Sequence, residues 1–181
     1  SEMPEQEEGR MAGFQLWVNL AARDKLQPPA YRDVPPQGVP VFALEGGAQV
    51  RVIAGTTHGV AGAVTRPTTE PLVLDIVLPA GVSFDVPLPA GHNAFAYVYG
   101  GAAAQVGGAT VASEHMAILT NDAAADGVRF TAPVGERAVQ ILLVAGAPLR
   151  EPIAQYGPFV MNTVQELHQA VADFQSGALA T

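Results

Sequence analysis

The chain has 181 residues, one ordinary domain or one domain plus a remnant, enough to bury roughly two thirds of its unfolded surface. Nine Lys and Arg stand against 17 Asp and Glu, a formal charge of −8, so there is no broad basic face for phosphates. Direct binding to nucleic acid and attraction to a membrane surface are therefore poor readings. Only 14% of the residues are charged while 19 Gly and 15 Pro punctuate the chain, which predicts short strands and tight turns rather than long surface helices. The absence of Cys excludes a disulfide scaffold, a zinc–thiolate site, an iron–sulfur cluster and a Cys nucleophile.

Ser1–Gly9 carries Glu2, Glu5, Glu7 and Glu8 and reads as solvated coil. With this acidic start and no apolar run near 18 residues, neither a signal peptide nor a membrane span is expected, and the location expected is cytoplasmic. Ser rather than Met at position 1 leads to the expectation of a chain processed, cleaved or incomplete at its N-terminus. Gly13–Leu20 alternates, with Phe14, Leu16, Val18 and Leu20 opposite Gln15, Trp17 and Asn19, and predicts a half-buried strand. Pro28, Pro29, Pro35, Pro36 and Pro40 then mark a linker and a domain boundary.

From Gln49 onward the pattern is strand, turn, strand. Gln49–Ile53 precedes a turn near Gly55–Gly62. Leu72–Leu78, apolar apart from Asp75, is stopped by Pro79 and Gly81. Ser83–Leu88, Ala94–Tyr99, Thr110–Leu119, Val128–Thr131 and Ala138–Ala145 follow, each bounded by turn formers. Strands at this spacing with no helical pattern between them predict an all-β sandwich or barrel. Near the end, Thr163-Val-Gln-Glu166 is a capping-box pattern. Val164, Leu167, Val171 and Phe174 recur behind it at helical spacing and Gly177 supplies a stop, so a docked C-terminal helix is expected.

Residues with chemical potential are sparse. His58, His92, His115 and His168 form none of the short motifs that bind metals. His168 and His115 read as surface residues. His92, in Pro89-Ala-Gly-His-Asn-Ala-Phe95 at the mouth of a strand, reads either as an inward-pointing ligand or as a hydrogen-bonded turn residue. Gly100–Gly108 lacks the Lys-Ser/Thr of a phosphate loop and reads as a hairpin turn. Ser113 and Ser176 lack a nucleophile-elbow context. Asp75 is either a buried carboxylate or a residue of a solvated sheet face. The residues alone lead to an acidic, soluble β-domain with a helical tail.

Several segments in order along nearly the whole chain resemble the pirin family, two-domain proteins of the cupin fold. They are Ser1-Glu-Met-Pro4, Gly13-Phe-Gln-Leu-Trp-Val-Asn-Leu20, Gln27-Pro-Pro-Ala-Tyr31, Leu88-Pro-Ala-Gly-His-Asn-Ala-Phe95, Ala145-Gly-Ala-Pro-Leu-Arg-Glu-Pro152 and Tyr156-Gly-Pro-Phe-Val-Met-Asn-Thr163. The resemblance implies a cupin-type β-barrel (jelly roll) with a partial second cupin and a C-terminal helix. Its divisions would be a remnant of the N-terminal cupin at 1–33, a Pro-rich linker at 34–45, the C-terminal cupin at 46–150, and a tail with a helix at 151–181.

In pirins the N-terminal barrel holds one metal through three His and one Glu, and the Glu lies in a H-S-E-M-P segment. Glu2 matches that carboxylate, whereas the three His have no counterpart in the chain as it stands. The resemblance therefore implies one divalent metal, Fe(II) in first place, in the intact parent and none in the isolated chain. A three-His, one-carboxylate set leaves open positions for substrate and dioxygen. Some pirins resemble quercetin 2,3-dioxygenases, which implies a flavonol and dioxygen as substrates, with Glu2 as metal ligand and general base. Others resemble non-catalytic, metal-dependent partners of regulatory proteins, which implies a protein partner instead.

Overall fold

The computed structural model describes residues 8–9, 11–122, 124–135 and 137–179. Its strands arise where apolar residues alternate, or run together, between turn formers. In chain order they are β1 (Val41–Ala43), β2 (Gln49–Ala54), β3 (Thr56–Thr57), β4 (Val60–Ala61), β5 (Leu72–Leu78), β6 (Ser83–Pro87) and β7 (Asn93–Gly101). Then come β8 (Ala104–Val106), β9 (Ala109–Val111), β10 (His115–Ile118), β11 (Gly127–Thr131), β12 (Val139–Gly146), β13 (Ala154–Tyr156), β14 (Phe159–Met161) and the helix α1 (Val164–Ser176). These residues fall into two units, one from Pro28 to Arg150 and one joining residues up to Gln27 with those from Glu151 onward.

The Pro28–Arg150 unit has a six-stranded sheet in the order β1-β2-β5-β12-β7-β10 and a four-stranded sheet in the order β6-β11-β8-β9. Every neighbouring pair in these sheets is antiparallel. This is the expected all-β jelly-roll sandwich. Strand β5 shows why its near-continuous apolar run makes it central. Leu72, Leu74, Ile76 and Leu78 face the core, while Val73 on the opposite face is also buried. From the other sheet Phe84, Val86, Val106 and Phe130 complete the core, with Val139, Ile141 and Leu143 of β12 facing them. Each fully buried side chain of this size contributes about 1.5–3 kcal/mol.

Turn chemistry closes the strands where the glycines stand. Gly107 and Gly108 adopt φ of 57° and 87° between β8 and β9, the two positive angles that a tight hairpin needs. The span Thr110–Leu119, expected as one strand, is two. Glu114 turns the chain at φ 63°, and its N–H donates to the Val98 carbonyl at 2.6 Å. The chain thereby leaves the four-stranded sheet at β9 and joins the six-stranded sheet at β10. Apolar residues on both sides of a corner look like one strand in sequence because each half buries its own face. Within the Pro-rich span 34–45, Pro36–Gly38 is a 3-10 turn and β1 is an edge strand on β2.

In the second unit Gly13–Leu20 is not the strand that its alternation predicts. It carries no regular secondary structure, and Leu16, Val18 and Leu20 are exposed. Alternation selects the face of a strand, but a strand also needs a neighbour to take its backbone hydrogen bonds, and among the described residues none pairs with it. Trp17 is 69% exposed, so the emission of this chain is expected near that of a fully hydrated indole. A blue-shifted band, or poor quenching by acrylamide, would contradict that exposure.

What orders the following residues is a polar clamp onto the C-terminal part of the same unit. The Lys25 ammonium donates to Asn19 Oδ1 at 2.6 Å and to the Val160 carbonyl at 2.8 Å. Glu151 Oε2 accepts from the Ala22 N–H at 2.8 Å and from Asn162 Nδ2 at 2.9 Å. β13 and β14 form a hairpin, and Phe159 of β14 meets Phe174 of α1 edge-on at 5.6 Å. The capping box is present as expected: Glu166 N–H donates to Thr163 Oγ1, and Glu166 Oε2 accepts from the Thr163 N–H. Gly177 ends the helix in a left-handed conformation. Leu167 and Ala170 are its buried residues, whereas Val164 and Phe174 of the expected stripe are mostly exposed.

Lys25→Met is expected to destabilise this unit by about 1–3 kcal/mol, since it removes two hydrogen bonds from a charged donor. Hydrogen exchange should speed up at β13 and β14 and stay unchanged in β5 and β12. Uniform acceleration, or none, would show that the clamp does not hold the unit.

Candidate functional site

Glu2, the residue matched to a metal-binding carboxylate, lies outside the described residues. The histidines are dispersed. His58 sits at φ 50° in the turn between β3 and β4. Its ring lies 5.6 Å from that of Phe42 and 5.1 Å from that of Phe84, with Nδ1 2.9 Å from Thr57 Oγ1. His115 is exposed, its Nδ1 3.0 Å from the Ser113 carbonyl. His168 lies on the exposed face of α1, as expected of a surface residue. Among the described residues no group of three or more His, Cys, Asp or Glu is placed to hold a metal ion. The described donor set therefore does not fit a resident divalent metal.

His92 is the histidine that the fold builds into a site. The turn Pro89–His92, closed by the His92 N–H on the Pro89 carbonyl at 3.2 Å, delivers it at the entrance to β7. Only 8% of the side chain is exposed, and Nε2 lies 3.3 Å from Glu70 Oε2. Nδ1 is buried and has no hydrogen-bond partner. Of the two readings open from sequence, the structure gives an imidazole held on one side by a carboxylate.

Glu70 reaches that position from a turn whose own backbone is unusual. Its N–H closes on the Arg66 carbonyl at 2.9 Å, and its φ is 40°, a conformation that a side chain other than Gly rarely adopts. Beneath this turn Gly55 has φ of 79°, and a Cβ there would lie 2.4 Å from the Pro71 carbonyl oxygen. The resulting cleft measures about 330 Å³. Arg66, Glu70 and His92 enter it alongside Leu72 and four proline rings. Neither Arg66 nor Glu70 stood out in the sequence, because Glu70 meets His92 across 22 residues and Arg66 shares only the cleft with them.

Asp75 belongs to a different cluster, on the outer face of the six-stranded sheet. It pairs with Arg51 Nη1 at 2.9 Å and accepts from the Tyr99 hydroxyl at 2.6 Å. Tyr99 is the extra residue of a bulge, since Gln140 pairs with Gly100 and Ile141 with Val98. Burial, and then the bond to Asp75, holds the Tyr99 hydroxyl well above the usual phenol range. On the exposed face of β6 and β11, Arg129 grips both oxygens of Asp85 at 2.7 Å. The hydrogen bonds from Arg129 lower the Asp85 carboxyl below its ordinary value.

Residues 73–180 match the family model of the pirin C-terminal cupin domain. A Pseudomonas aeruginosa protein named "Putative quercetin 2,3-dioxygenase" is 47% identical over 99% of this chain, and a Caulobacter vibrioides pirin-like protein is 43% identical over 98%. The chain spans 63% and 62% of the lengths of these two relatives. The crystal structure of quercetin 2,3-dioxygenase from Acinetobacter baumannii superposes with a TM-score of 0.81 at 32% identity, covering 91% of this chain and 56% of that one. Among the described residues no helix is long and apolar enough to cross a membrane. With the family model covering more than half of the sequence, the chain belongs to the pirin family and carries its C-terminal cupin domain.

Proposed function

We propose that this chain is the C-terminal part of a metal-dependent flavonol 2,3-dioxygenase acting in the cytoplasm. The observation that carries this reading is similarity along 99% of the chain to a relative named for quercetin 2,3-dioxygenase activity. The match of Ser1-Glu-Met-Pro4 to the carboxylate-bearing segment of the family supports it. In this reading Glu2 is one ligand of a divalent metal, Fe(II) in first place, with the histidines supplied by residues that precede Ser1. The metal would provide Lewis-acid binding of the flavonol oxygen and a site for dioxygen. The Glu2 carboxylate would take the proton of the flavonol hydroxyl.

The division of labour between the domains follows from the donor set. Among its described residues the Pro28–Arg150 unit brings one imidazole and one carboxylate together at His92 and Glu70, too few ligands for a resident metal. Catalysis is therefore assigned to the front of the protein. The test is turnover of quercetin by a chain of the relatives' full length, loaded with Fe(II), with oxygen uptake followed alongside loss of flavonol absorbance. Stoichiometric uptake with ring opening supports the enzyme. A metal-loaded protein that takes up no oxygen with quercetin would overturn it and favour the family's non-catalytic, metal-dependent protein-binding role.

A further inference from the structure

We propose that the cleft at His92 is a binding site for a small aromatic monocarboxylate. The cleft volume, about 330 Å³, falls in the range of small-molecule sites, which are mostly apolar with a few converging polar groups. Leu72 and the proline rings supply the apolar part here. The rings present C–H faces carrying slight positive charge, which suit the negative face of an aromatic ring.

The charged groups then select the head of the ligand. Arg66, an exposed residue lining the cleft, forms no hydrogen bond or ion pair with any described side chain. An unengaged guanidinium beside an apolar cleft matches a carboxylate, which it can grip through two parallel N–H bonds. Glu70, four residues on, is already committed to the His92 imidazole and brings negative charge to the same cleft. That carboxylate disfavours dianions and polyphosphates, and a chain of net charge −8 adds to the effect. One cation flanked by one anion therefore suits a singly charged head.

The pair of Glu70 and His92 also has a place in recognition. A carboxylate oxygen not engaged by Nε2 can accept from a hydroxyl on the ring of the ligand. His92 itself is nine-tenths buried, so it fixes the position of Glu70 rather than following the ligand. The wall is formed in advance: the strained φ of Glu70, the turn closed on Arg66 and the close approach of Gly55 to Pro71 leave little to reorganise. A cation site is the poorer reading, because no third ligating side chain joins the pair among the described residues.

The experiment is calorimetric or ligand-observed NMR titration of the full chain with 4-hydroxybenzoate and, separately, with 4-hydroxybenzamide. Saturable binding of the acid is expected, with the neutral amide weaker by about tenfold or more, the loss expected when a charge-assisted pair is removed. Arg66→Ala should weaken the acid by a similar factor and leave the amide unchanged. Because Arg66 is exposed, the variant should melt with the parent, which separates loss of binding from loss of fold. Glu70→Gln should weaken 4-hydroxybenzoate more than benzoate. Equal affinity for acid and amide, undiminished binding to Arg66→Ala, or no saturable binding of either would overturn the proposal. None of these outcomes depends on metal or on flavonol turnover.

Discussion

Gly101→Ala is expected to lower the stability of the Pro28–Arg150 unit by about 2–5 kcal/mol. Two costs combine. Gly101 has a φ of 84°, which a residue with a Cβ adopts at a cost of about 1–2 kcal/mol. A Cβ at this position would also lie 1.7 Å from the Ala138 carbonyl oxygen and 2.8 Å from its carbon. Those are backbone atoms of the residue just before β12, so relief requires moving the strand that holds the centre of the six-stranded sheet. Distortion of that kind in a packed structure costs about 1–3 kcal/mol more.

The neighbouring glycine supplies the control. A Cβ at Gly100 would meet Gln140 Oε1 at 2.2 Å, but that atom is the end of a flexible side chain and Gly100 has no positive φ. Gly100→Ala should therefore cost less than about 1 kcal/mol. Urea denaturation of the two variants against the parent checks the contrast. Equal midpoints would show that the bulge beside Tyr99 relaxes freely and that the close approach of Gly101 is no constraint.

The second large effect concerns activity. In a chain of the relatives' full length, Glu2→Gln is expected to reduce flavonol turnover by about 10²–10⁴-fold, the loss associated with a positioned proton acceptor. Glutamine keeps the shape but cannot take a proton at neutral pH, and it ligates divalent metals weakly. Metal content measured on the same sample separates the two roles. A drop in kcat with metal retained assigns the proton transfer to Glu2, whereas loss of the metal assigns it the ligand role. Unchanged turnover with full metal occupancy would remove Glu2 from the site altogether.

The two most distinctive motifs of the sequence turn out to meet each other. Asn19 closes the Phe14–Asn19 motif, and Val160 and Asn162 lie in Gly157–Thr163. Lys25 joins Asn19 to the Val160 carbonyl, and Glu151 joins Asn162 to the Ala22 N–H. These motifs thus act as two sides of one clamp in the second unit. Nothing in either motif announces this, since the bonded residues stand 129 and 135 positions apart.

Elements with a local cause were legible in the amino-acid order. Leu72–Leu78 has a continuous apolar run with terminators, so its extent as a central strand could be read directly. Thr163 and Glu166 satisfy each other within four residues, so the start of α1 could be read as well. Gly107 and Gly108 supply the angles of a hairpin by themselves.

Elements that depend on a partner were decided only by tertiary structure. Gly13–Leu20 alternates like a strand, yet a strand is a relation between two backbones, and its alternation carries no information about a neighbour. Thr110–Leu119 has the composition of one strand and is split by a corner at Glu114, because each half pairs within a different sheet. Asp75 could be buried or solvated until the pairing of β2 with β5, and of β12 with both β5 and β7, put Arg51 and Tyr99 beside it. The meeting of His92 with Glu70, with Arg66 on the same wall, required a left-handed turn and the absence of a Cβ at Gly55. By itself the sequence determined the central strands, the glycine turns, the capped start of α1 and the family, since propensity and periodicity act over a few residues. Which side chains share a site was decided by the folded chain, because distance in space is set by sheet order and register rather than by spacing along the sequence.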